Sequence, residues 1–294
     1  MKAFVVTNRL AGNLRAEAVA RDVDRRLRAA GLAVSHVPVS RVETAAETLR
    51  EMIGREAADQ VRVVVAGGDG TINAALPALA GTAVPMAILP LGSVNVLARE
   101  LGVPRNLSAA VAVAAAGRPR QIDLGVVNGR PFALMAGIGF DAAVVHSVSP
   151  RIKKVIGSIA YLERGLRLLA DRSASRFRVT TESGEVRADA WLAVIANASR
   201  YTYDIRLAPE ARIDDGWLDL RLFQRGPVAQ TISQVMAVLR GRHLDRPGIT
   251  HLRARRLRLE CDPPVRVQVD GDAMGLTPAE VTILPGALTV LVPQ

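Results

Sequence analysis

Short apolar runs alternate with amphipathic stretches over the first third of the chain. The apolar runs, which are rich in β-branched residues, predict strands at residues 3–6, 32–39, 61–66 and 84–89. The amphipathic stretches predict helices at residues 15–30, about 44–58, 72–79 and 94–101. Strands and helices that alternate through short loops indicate an α/β domain with a parallel, doubly wound sheet.

The pattern changes near Gln121. Two apolar runs, at residues 122–127 and 131–136, flank Asn128-Gly129 and predict a β-hairpin. Further strand-like runs follow at residues 177–181, 190–196, 218–223, 257–260, 265–270 and 288–292. Additional helices are predicted at residues 155–169 and 228–239. This part of the chain is therefore expected to form an antiparallel sheet or sandwich with inserted helices.

A glycine-rich loop joins the third predicted strand to the next helix. Its sequence is GGDGT, at residues 67–71, and its glycines allow positive φ angles and close backbone approach. Such a turn presents backbone N–H groups and a helix N-terminus to a phosphate; an ordinary strand-to-helix turn is the alternative. A second loop, at residues 90–93, leaves the next strand. Because both loops leave the same edge of a parallel sheet, the pair favours a ligand site.

The composition favours an anionic partner and excludes some classes of protein. The chain has 38 Lys and Arg against 28 Asp and Glu, a net charge of +10, which suits nucleotides or acidic membranes; a GC-rich genome is the alternative explanation. Aromatic residues make up only 3%, so nucleic acid is not an expected partner. Cys261 is the only cysteine, which excludes an intramolecular disulfide. With no membrane-spanning run and no signal peptide, we expect a cytoplasmic protein.

Six motifs in a fixed order carry a family resemblance. They are GGDGT (67–71), PLGSVN (90–95), DLG (123–125), GIGFD (137–141), DDGWLD (214–219) and VDGD (269–272). The ordered set resembles the diacylglycerol kinase catalytic-domain family, which includes bacterial soluble lipid kinases and the sphingosine and ceramide kinases. GGDGT alone is shared with NAD kinases, whereas the whole set extends over nearly the whole chain.

The resemblance implies an N-terminal α/β nucleotide-binding domain and a C-terminal β-sandwich, with the active-site cleft between them. We expect the first at residues 1–120, with a tail of about 285–294 returning to it, and the second, which would hold the lipid acceptor, at residues 121–284. ATP would be the phosphate donor. The resemblance assigns to ATP the residues Asn8, Thr44, Gly67, Gly68, Asp69, Gly70, Thr71, Ile72, Asn73, Gly92, Ser93 and Asn95.

The resemblance also assigns catalytic and metal-binding residues. The family's base is the last residue of an x-D-G-E turn, which is Asp272 here, one methylene shorter than Glu; it would accept the proton of a lipid hydroxyl. Asp69 would organise the metal and the phosphates. The family's Mg²⁺ site maps to the Asp215 carboxylate and the carbonyls of Leu218 and Leu220, which are the hard oxygen ligands that Mg²⁺ prefers. Polar turns without a catalytic role are the alternative for both segments.

Departures from the family pattern keep other functions open. Val96 stands where the family commonly has Asp in the second loop, so one acid of the expected network is missing. With Asp272 in place of Glu, this motivates a catalytically silent lipid or nucleotide sensor as an alternative. A NAD kinase-like enzyme is another, although the PLGSVN loop argues against it. The main hypothesis is an ATP- and Mg²⁺-dependent lipid kinase acting on a hydroxyl of diacylglycerol or of a sphingoid or ceramide-type lipid.

Two basic segments bear on access to lipid. Arg151, Lys153 and Lys154 precede the helix predicted at residues 155–169, and residues 253–258 read RARRLR. Basic residues beside an apolar helix suit peripheral contact with an anionic membrane surface; a solvated face of a core helix is the alternative. The identity of the acceptor and the oligomeric state, with a dimer among the alternatives, stay open.

Overall fold

The chain forms two compact units in a computed structural model that describes residues 1–7, 14–37, 45–139, 175–202, 205–241 and 246–294. Unit 1 comprises Met1–Leu124, Ile213–Asp215 and Leu284–Gln294. Unit 2 comprises Gly125–Arg212 and Gly216–Ile283. Each unit has its own buried apolar side chains.

Unit 1 is built on a parallel sheet. Its strands are β1 (Lys2–Thr7), β2 (Ala33–His36), β3 (Val61–Gly67) and β4 (Met86–Pro90). They pair in the order β2-β1-β3-β4, all in parallel. The helices are α1 (Leu14–Ala29), α2 (Ala45–Ile53), α3 (Asp69–Leu79), α4 (Val96–Glu100) and α5 (Leu107–Ala116), with a 3₁₀ turn at Ala58–Gln60. The predicted α/β architecture is therefore confirmed.

Unit 2 is built on an antiparallel sheet. Its strands are β5 (Arg118–Val127, shared with unit 1), β6 (Arg130–Phe132), β7 (Met135–Gly139), β8 (Ser175–Thr181), β9 (Gly184–Ala196), β10 (Arg200–Thr202), β11 (Ile205–Arg206), β12 (Leu218–Gln224), β13 (Ile249–Ala254), β14 (Arg256–Asp262), β15 (Arg266–Val269), β16 (Asp272–Leu276) and β17 (Ala279–Val292, also shared). One helix within the described part of the unit, α6, spans Val228–Leu239. Phe132, Phe177 and Leu220 lie in the core of unit 2 and have almost no exposed surface.

Two strands run through both units. The first residues of β17 pair with β14 in unit 2, and Val290 near its end pairs in parallel with Met86 of β4 in unit 1. In unit 1 the carboxylate of Asp123, on β5, accepts a hydrogen bond from the N–H of Gly286 at 2.7 Å. The last residues of β17 therefore continue the parallel strands of unit 1, whereas its first residues belong to the antiparallel strands of unit 2.

The structure corrects several element boundaries. The helix predicted at about residues 44–58 ends at Ile53, whereas α3 begins at Asp69 rather than at residue 72. The last strand is longer than its predicted residues 288–292, with 14 residues. Strands β10, β11, β13 and β16 were not predicted, because their sequences lack a sustained apolar run. The helix predicted at residues 155–169 lies outside the described residues.

The predicted hairpin is present, but its second strand is divided. Asn128 and Gly129 have φ values of 47° and 84°, as a two-residue hairpin turn with left-handed central residues requires. The run predicted at residues 131–136 is split into β6 and β7, and only β6 pairs with β5. The strand is divided because the carboxylate of Asp270 binds the backbone N–H groups between β6 and β7. In the described ranges, no helix is long and apolar enough to cross a membrane.

Candidate functional site

The two glycine loops of unit 1 leave neighbouring strands at the same edge of the parallel sheet. The first connects β3 to α3, and the second, residues 91–95, connects β4 to α4. Gly67 and Pro90 are paired at the strand ends, and the N–H of Leu91 donates to the carbonyl oxygen of Gly67 at 3.0 Å. The fold thus brings the two predicted loops side by side at the carboxyl ends of the strands, where ligands bind in such sheets.

The loops touch through their backbones. A Cβ atom placed on Gly92 would lie 2.5 Å from the Cα atom of Gly68, and one placed on Gly68 would lie 3.2 Å from the Cα atom of Gly92. A Cβ on Gly67 would lie 2.3 Å from Oγ1 of Thr71. These glycines are therefore required by close approach. The positive φ angles expected for the first loop are not found: Gly68 has a φ of −100°.

Asn95 is the left-handed residue of the loop pair. Its φ is 54°, its side chain is buried, and it immediately precedes α4. The amide oxygen accepts the N–H of Gly92 at 2.9 Å, and the amide nitrogen donates to the carbonyl oxygen of Gly92 at 2.7 Å. This reciprocal pair closes the second loop on itself and fixes the position of Gly92 against Gly68.

Asp69 is the first residue of α3 and faces the start of α4. Its carboxylate accepts the N–H of Leu97 at 3.4 Å. Burial raises the pKa of the Asp69 carboxyl above its ordinary value, and the backbone N–H groups of Leu97, Val96 and Asn95 oppose that rise. Val96, at the position where an acid was expected, is a buried apolar residue. Asp69 is consequently a largely desolvated carboxylate aimed at backbone amides.

The other residues assigned to ATP differ in the exposure of their side chains and in the partners of their backbone N–H groups. The N–H groups of Thr71 and Ile72 donate to the carbonyl of Gly68 at 2.9 and 3.2 Å and so close the first turn of α3. The side chains of Ile72 and Asn73 are buried, whereas Ser93 and Gly70 are exposed. Asn8 and Thr44 lie outside the described residues.

The predicted catalytic turn of unit 2 connects β15 to β16 and is held by Asp270. Asp270 and Gly271 have φ values of 46° and 86°. The Asp270 carboxylate accepts three successive backbone N–H groups, at 2.7 Å from Ala133, 3.0 Å from Leu134 and 2.8 Å from Met135. These are the residues at which the predicted strand is divided, so the carboxylate replaces a ladder partner for this stretch of backbone.

Asp272, the predicted base, follows that turn and forms an ion pair. Nη2 of Arg130 lies 2.8 Å from Oδ2 of Asp272, and each side chain is about two-fifths exposed. Arg130 begins β6, directly after the Asn128-Gly129 turn. The sequence analysis did not identify Arg130, because one arginine after a turn carries no motif; only the pairing of distant strands brings it to Asp272.

The residues predicted to bind metal lie on different segments. Asp215 closes the short segment Ile213–Asp215 of unit 1, in which Asp214 pairs with Arg120 at 2.6 Å. Leu218 and Leu220 lie on β12 in unit 2, where both side chains are fully buried and the strand pairs with β9 and β13. Among the described residues, no group of three or more His, Cys, Asp or Glu side chains could hold a metal ion.

The basic segment at residues 253–258 is partly neutralised. Arg258 pairs with Glu280 at 2.8 Å and with Glu260 at 3.1 Å. Arg253 and Arg255 lie over the ring of Trp217, at 5.4 and 4.6 Å from its centroid. The carboxylates of Glu280 and Glu260 therefore compensate Arg258, whereas stacking on Trp217 leaves the positive charge of Arg253 and Arg255 in place. Arg151, Lys153 and Lys154 lie outside the described residues.

Comparison with known proteins adds independent findings. A model of the diacylglycerol kinase catalytic domain matches residues 2–127, and a model of the YegS C-terminal NAD kinase beta sandwich-like domain matches residues 135–292. A diacylglycerol kinase of Mycobacterium tuberculosis (strain H37Rv) is 31% identical over 303 residues, which cover 100% of this chain and 96% of the relative. An uncharacterized protein of Synechocystis is 28% identical over 79% of this chain, which spans 54% of that relative's length.

A solved structure confirms the fold. The crystal structure of a diacylglycerol kinase from Bacillus anthracis (strain Sterne) superposes with a TM-score of 0.73 at 22% identity. The superposition covers 99% of this chain and 96% of that chain. Together with the match to a β-sandwich model, this confirms the predicted α/β and β-sandwich classes for the two parts of the chain.

Proposed function

This chain belongs to the diacylglycerol kinase catalytic-domain family, and from that membership we propose that it is an ATP- and Mg²⁺-dependent lipid kinase. It would transfer the γ-phosphate of ATP to a hydroxyl of diacylglycerol or of a sphingoid or ceramide-type lipid. Related proteins named diacylglycerol kinase support the lipid acceptor. The observation that carries the proposal is the backbone contact between the two glycine loops, because it places two turns and the carboxylate of Asp69 at one edge of the sheet.

The donor side of the reaction is assigned to unit 1. A nucleotide phosphate needs backbone N–H donors and close approach, and glycine supplies both where a Cβ would obstruct. Gly68 and Gly92 have this character. The buried Asn95 keeps the second loop in position through its two bonds to Gly92. The loop pair is therefore preorganised, which reduces the ordering cost of binding ATP.

The donor chemistry of the loop pair fits Mg²⁺ bound together with ATP. Asp69 offers a desolvated carboxylate, and Mg²⁺ in nucleotide sites is held by one or two carboxylates together with phosphates and water. When bound, the ion would supply positive charge against the negative charge that develops on the phosphates. Burial raises the pKa of the Asp69 carboxyl, which means that its ionised form is incompletely compensated within the chain. A bound cation would stabilise that ionised form.

Proton acceptance is assigned to Asp272 in unit 2. Asp270 fixes the turn through three backbone N–H groups, and Arg130 fixes the Asp272 side chain. In the proposed reaction the carboxylate of Asp272 takes the proton of the lipid hydroxyl as its oxygen attacks the γ-phosphorus and ADP departs. The ion pair with Arg130 holds this carboxylate in one orientation, which a positioned base requires.

The proposal is tested with the purified full chain, labelled ATP, Mg²⁺ and a total lipid extract, with mass spectrometry of any labelled lipid. We expect a phosphorylated lipid and stoichiometric ADP. A parallel incubation with NAD checks the NAD kinase-like alternative, for which NADP would be the product. Binding of ATP without ADP release over a broad panel of lipids would instead favour the silent sensor that Val96 and Asp272 motivate.

A further inference from the structure

Helix α6 of unit 2 carries its apolar stripe on the outside. Val228, Ile232 and Met236 are 50%, 52% and 39% exposed, and their spacing of four places them on one face of the helix. Gln234, on the other side, is 1% exposed. Ala237 is buried as well, so α6 is apolar on both sides. A surface helix of a globular protein normally exposes polar residues, so three large apolar side chains on the solvent side of α6 are unusual.

The buried glutamine fixes this orientation. The Gln234 side chain donates to the carbonyl oxygens of Gln224 at 3.2 Å and Gly248 at 2.9 Å, and it accepts the indole N–H of Trp191 at 3.0 Å. Turning the helix over would break all three bonds and leave buried polar groups unpaired, which is costly. The exposed stripe is therefore a stable feature of the unit.

Among the described residues, the charged side chains that flank α6 in the chain are arginines, although the carbonyl oxygen of the exposed Asp189 accepts the N–H of Arg225. The helix, VAQTISQVMAVL, contains no ionisable residue. Arg225 precedes it, Arg240 follows it, Arg246 lies a little further on, and all three are exposed. Within the part of the chain that the structure describes, no carboxylate forms an ion pair with any of them, in contrast to Arg258 with its two glutamates. An apolar face bordered by unneutralised arginines complements an anionic lipid surface.

We propose that α6 is a docking helix that lies on an anionic bilayer. Val228, Ile232 and Met236 enter the boundary between head groups and acyl chains, and the arginines at its ends bind lipid phosphates. A second copy of the chain is a poorer occupant, because a symmetric contact through α6 would bring the two sets of arginines together. The inference rests on the proposed function, because a lipid kinase must reach lipid in a membrane, but docking itself does not require catalysis.

The Trp191 anchor of α6 and the turn at Asp272 lie at opposite strand ends within unit 2. Strands β7 and β9 pair Met135 with Ala196 at the end near the turn and Gly139 with Leu192 at the other end. Trp191, which donates to Gln234 of α6, directly precedes Leu192 at that second end. The stripe residues are exposed and none of them is assigned to the reaction, so binding can be separated from turnover.

The test is sedimentation of the full chain with vesicles of equal parts phosphatidylglycerol and phosphatidylcholine, without ATP. We expect binding to these vesicles and none to pure phosphatidylcholine. The triple variant R225Q/R240Q/R246Q should lower the partition coefficient about 100-fold, because each arginine near an anionic surface contributes roughly a factor of five. The double variant I232E/M236E should abolish partitioning. V19E, an equivalent change at an exposed position of α1, is the matched control and should bind as the wild type does.

Several outcomes would overturn the docking proposal. One is a wild-type protein that does not bind anionic vesicles, and another is an I232E/M236E variant that binds them as well as the wild type does. The third is a wild-type dimer, detected by sedimentation velocity, that the I232E substitution dissociates without changing vesicle binding. Turnover of ATP with monomeric dihexanoylglycerol separates the two proposals. Turnover without vesicle binding would refute docking alone, and vesicle binding without turnover on any lipid would refute the kinase alone.

Discussion

The glycine-loop pair of unit 1 and the Asp-Gly turn of unit 2 are both tight connections at strand ends, yet they are held by opposite means. The contact between the loops depends on missing side chains, since a Cβ on Gly92 would lie 2.5 Å from the Cα atom of Gly68, and Asn95 only closes the second loop on itself. The turn is held by a side chain, because Asp270 gathers three N–H groups of a distant segment. The first should therefore be sensitive to added volume and the second to a lost carboxylate.

The same contrast applies to the two carboxylates assigned to the reaction. Asp69 is desolvated and faces backbone amides, whereas Asp272 is partly exposed and paired with an arginine. A carboxylate with too little compensation in the protein is suited to meet a cation or phosphate-bound metal. A partly exposed carboxylate that an arginine holds in place is suited to meet a substrate hydroxyl and accept its proton. Substitutions at each position can break or sharpen this comparison.

The largest effect is expected for the substitutions D272A and D69A. Loss of a general base lowers kcat by about 10²–10⁴-fold, and loss of the metal-organising carboxylate should reduce turnover to a similar level. Asp272 is partly exposed, so the unfolding midpoint of D272A should stay close to that of the wild type. D69A also removes the acceptor of the Leu97 N–H, so circular dichroism is used to check that this variant is folded before its turnover is compared. Turnover of purified D272A at the wild-type rate would remove Asp272 from the base role, and D272E should retain activity.

The next largest effect is a loss of stability on D270A. Three backbone N–H groups would lose a charged acceptor, which corresponds to about 3 kcal/mol in the free energy of unfolding. Urea denaturation followed by tryptophan fluorescence measures the change. E280A, which removes the partner of Arg258 on an exposed surface of the same unit, is the control and should cost less than about 1 kcal/mol. Equal losses for the two variants would contradict the anchoring role of Asp270.

A smaller effect is expected when volume is added to the loop pair. In G92A the new methyl group would meet the Cα atom of Gly68 and the amide oxygen of Asn95, which corresponds to about 2 kcal/mol of overpacking. The KM for ATP should rise with it. G70A is the matched stability control, since a Cβ there has no heavy atom within 4 Å and lies in a helix, where Ala is favoured over Gly. A stable G92A with unchanged ATP affinity would show that the two loops do not depend on this contact.

The smallest effect concerns Asp69 and pH. Because its pKa is raised in the folded state, the folded chain binds a proton more readily than the unfolded chain, and this carboxyl lowers stability at neutral pH. That destabilisation disappears as the pH falls through the folded-state pKa of Asp69 to below the pKa that an aspartate has in the unfolded chain. D69N lacks it throughout. Thermal unfolding should therefore show D69N slightly more stable than the wild type at pH 7, with the difference shrinking towards pH 4; a difference that grows on acidification would contradict the desolvation of Asp69.

Much of the fold could be predicted from local sequence. The β-branched runs became β1, β3 and β4, the Asn128-Gly129 pair formed a left-handed hairpin turn, and residues 228–239 form α6 with the predicted bounds. These features depend on side-chain periodicity and on φ preferences of single residues, which are legible within a few positions. The family resemblance, carried by six ordered motifs, is likewise confirmed.

The sequence by itself determined the order of strands, helices and glycine turns, because those follow from local preference, and the motif order determined the family. Only the tertiary structure decided which backbones touch and which side of an element is buried. The contact of Gly68 with Gly92, the pairing of Arg130 with Asp272 over 142 positions, and the division of residues 131–136 by Asp270 all depend on strand register. The outward stripe of α6 was decided by Gln234, whose three partners lie on other strands and loops. Periodicity reveals that a helix has two faces, whereas the partners available elsewhere in the fold select the one that faces solvent.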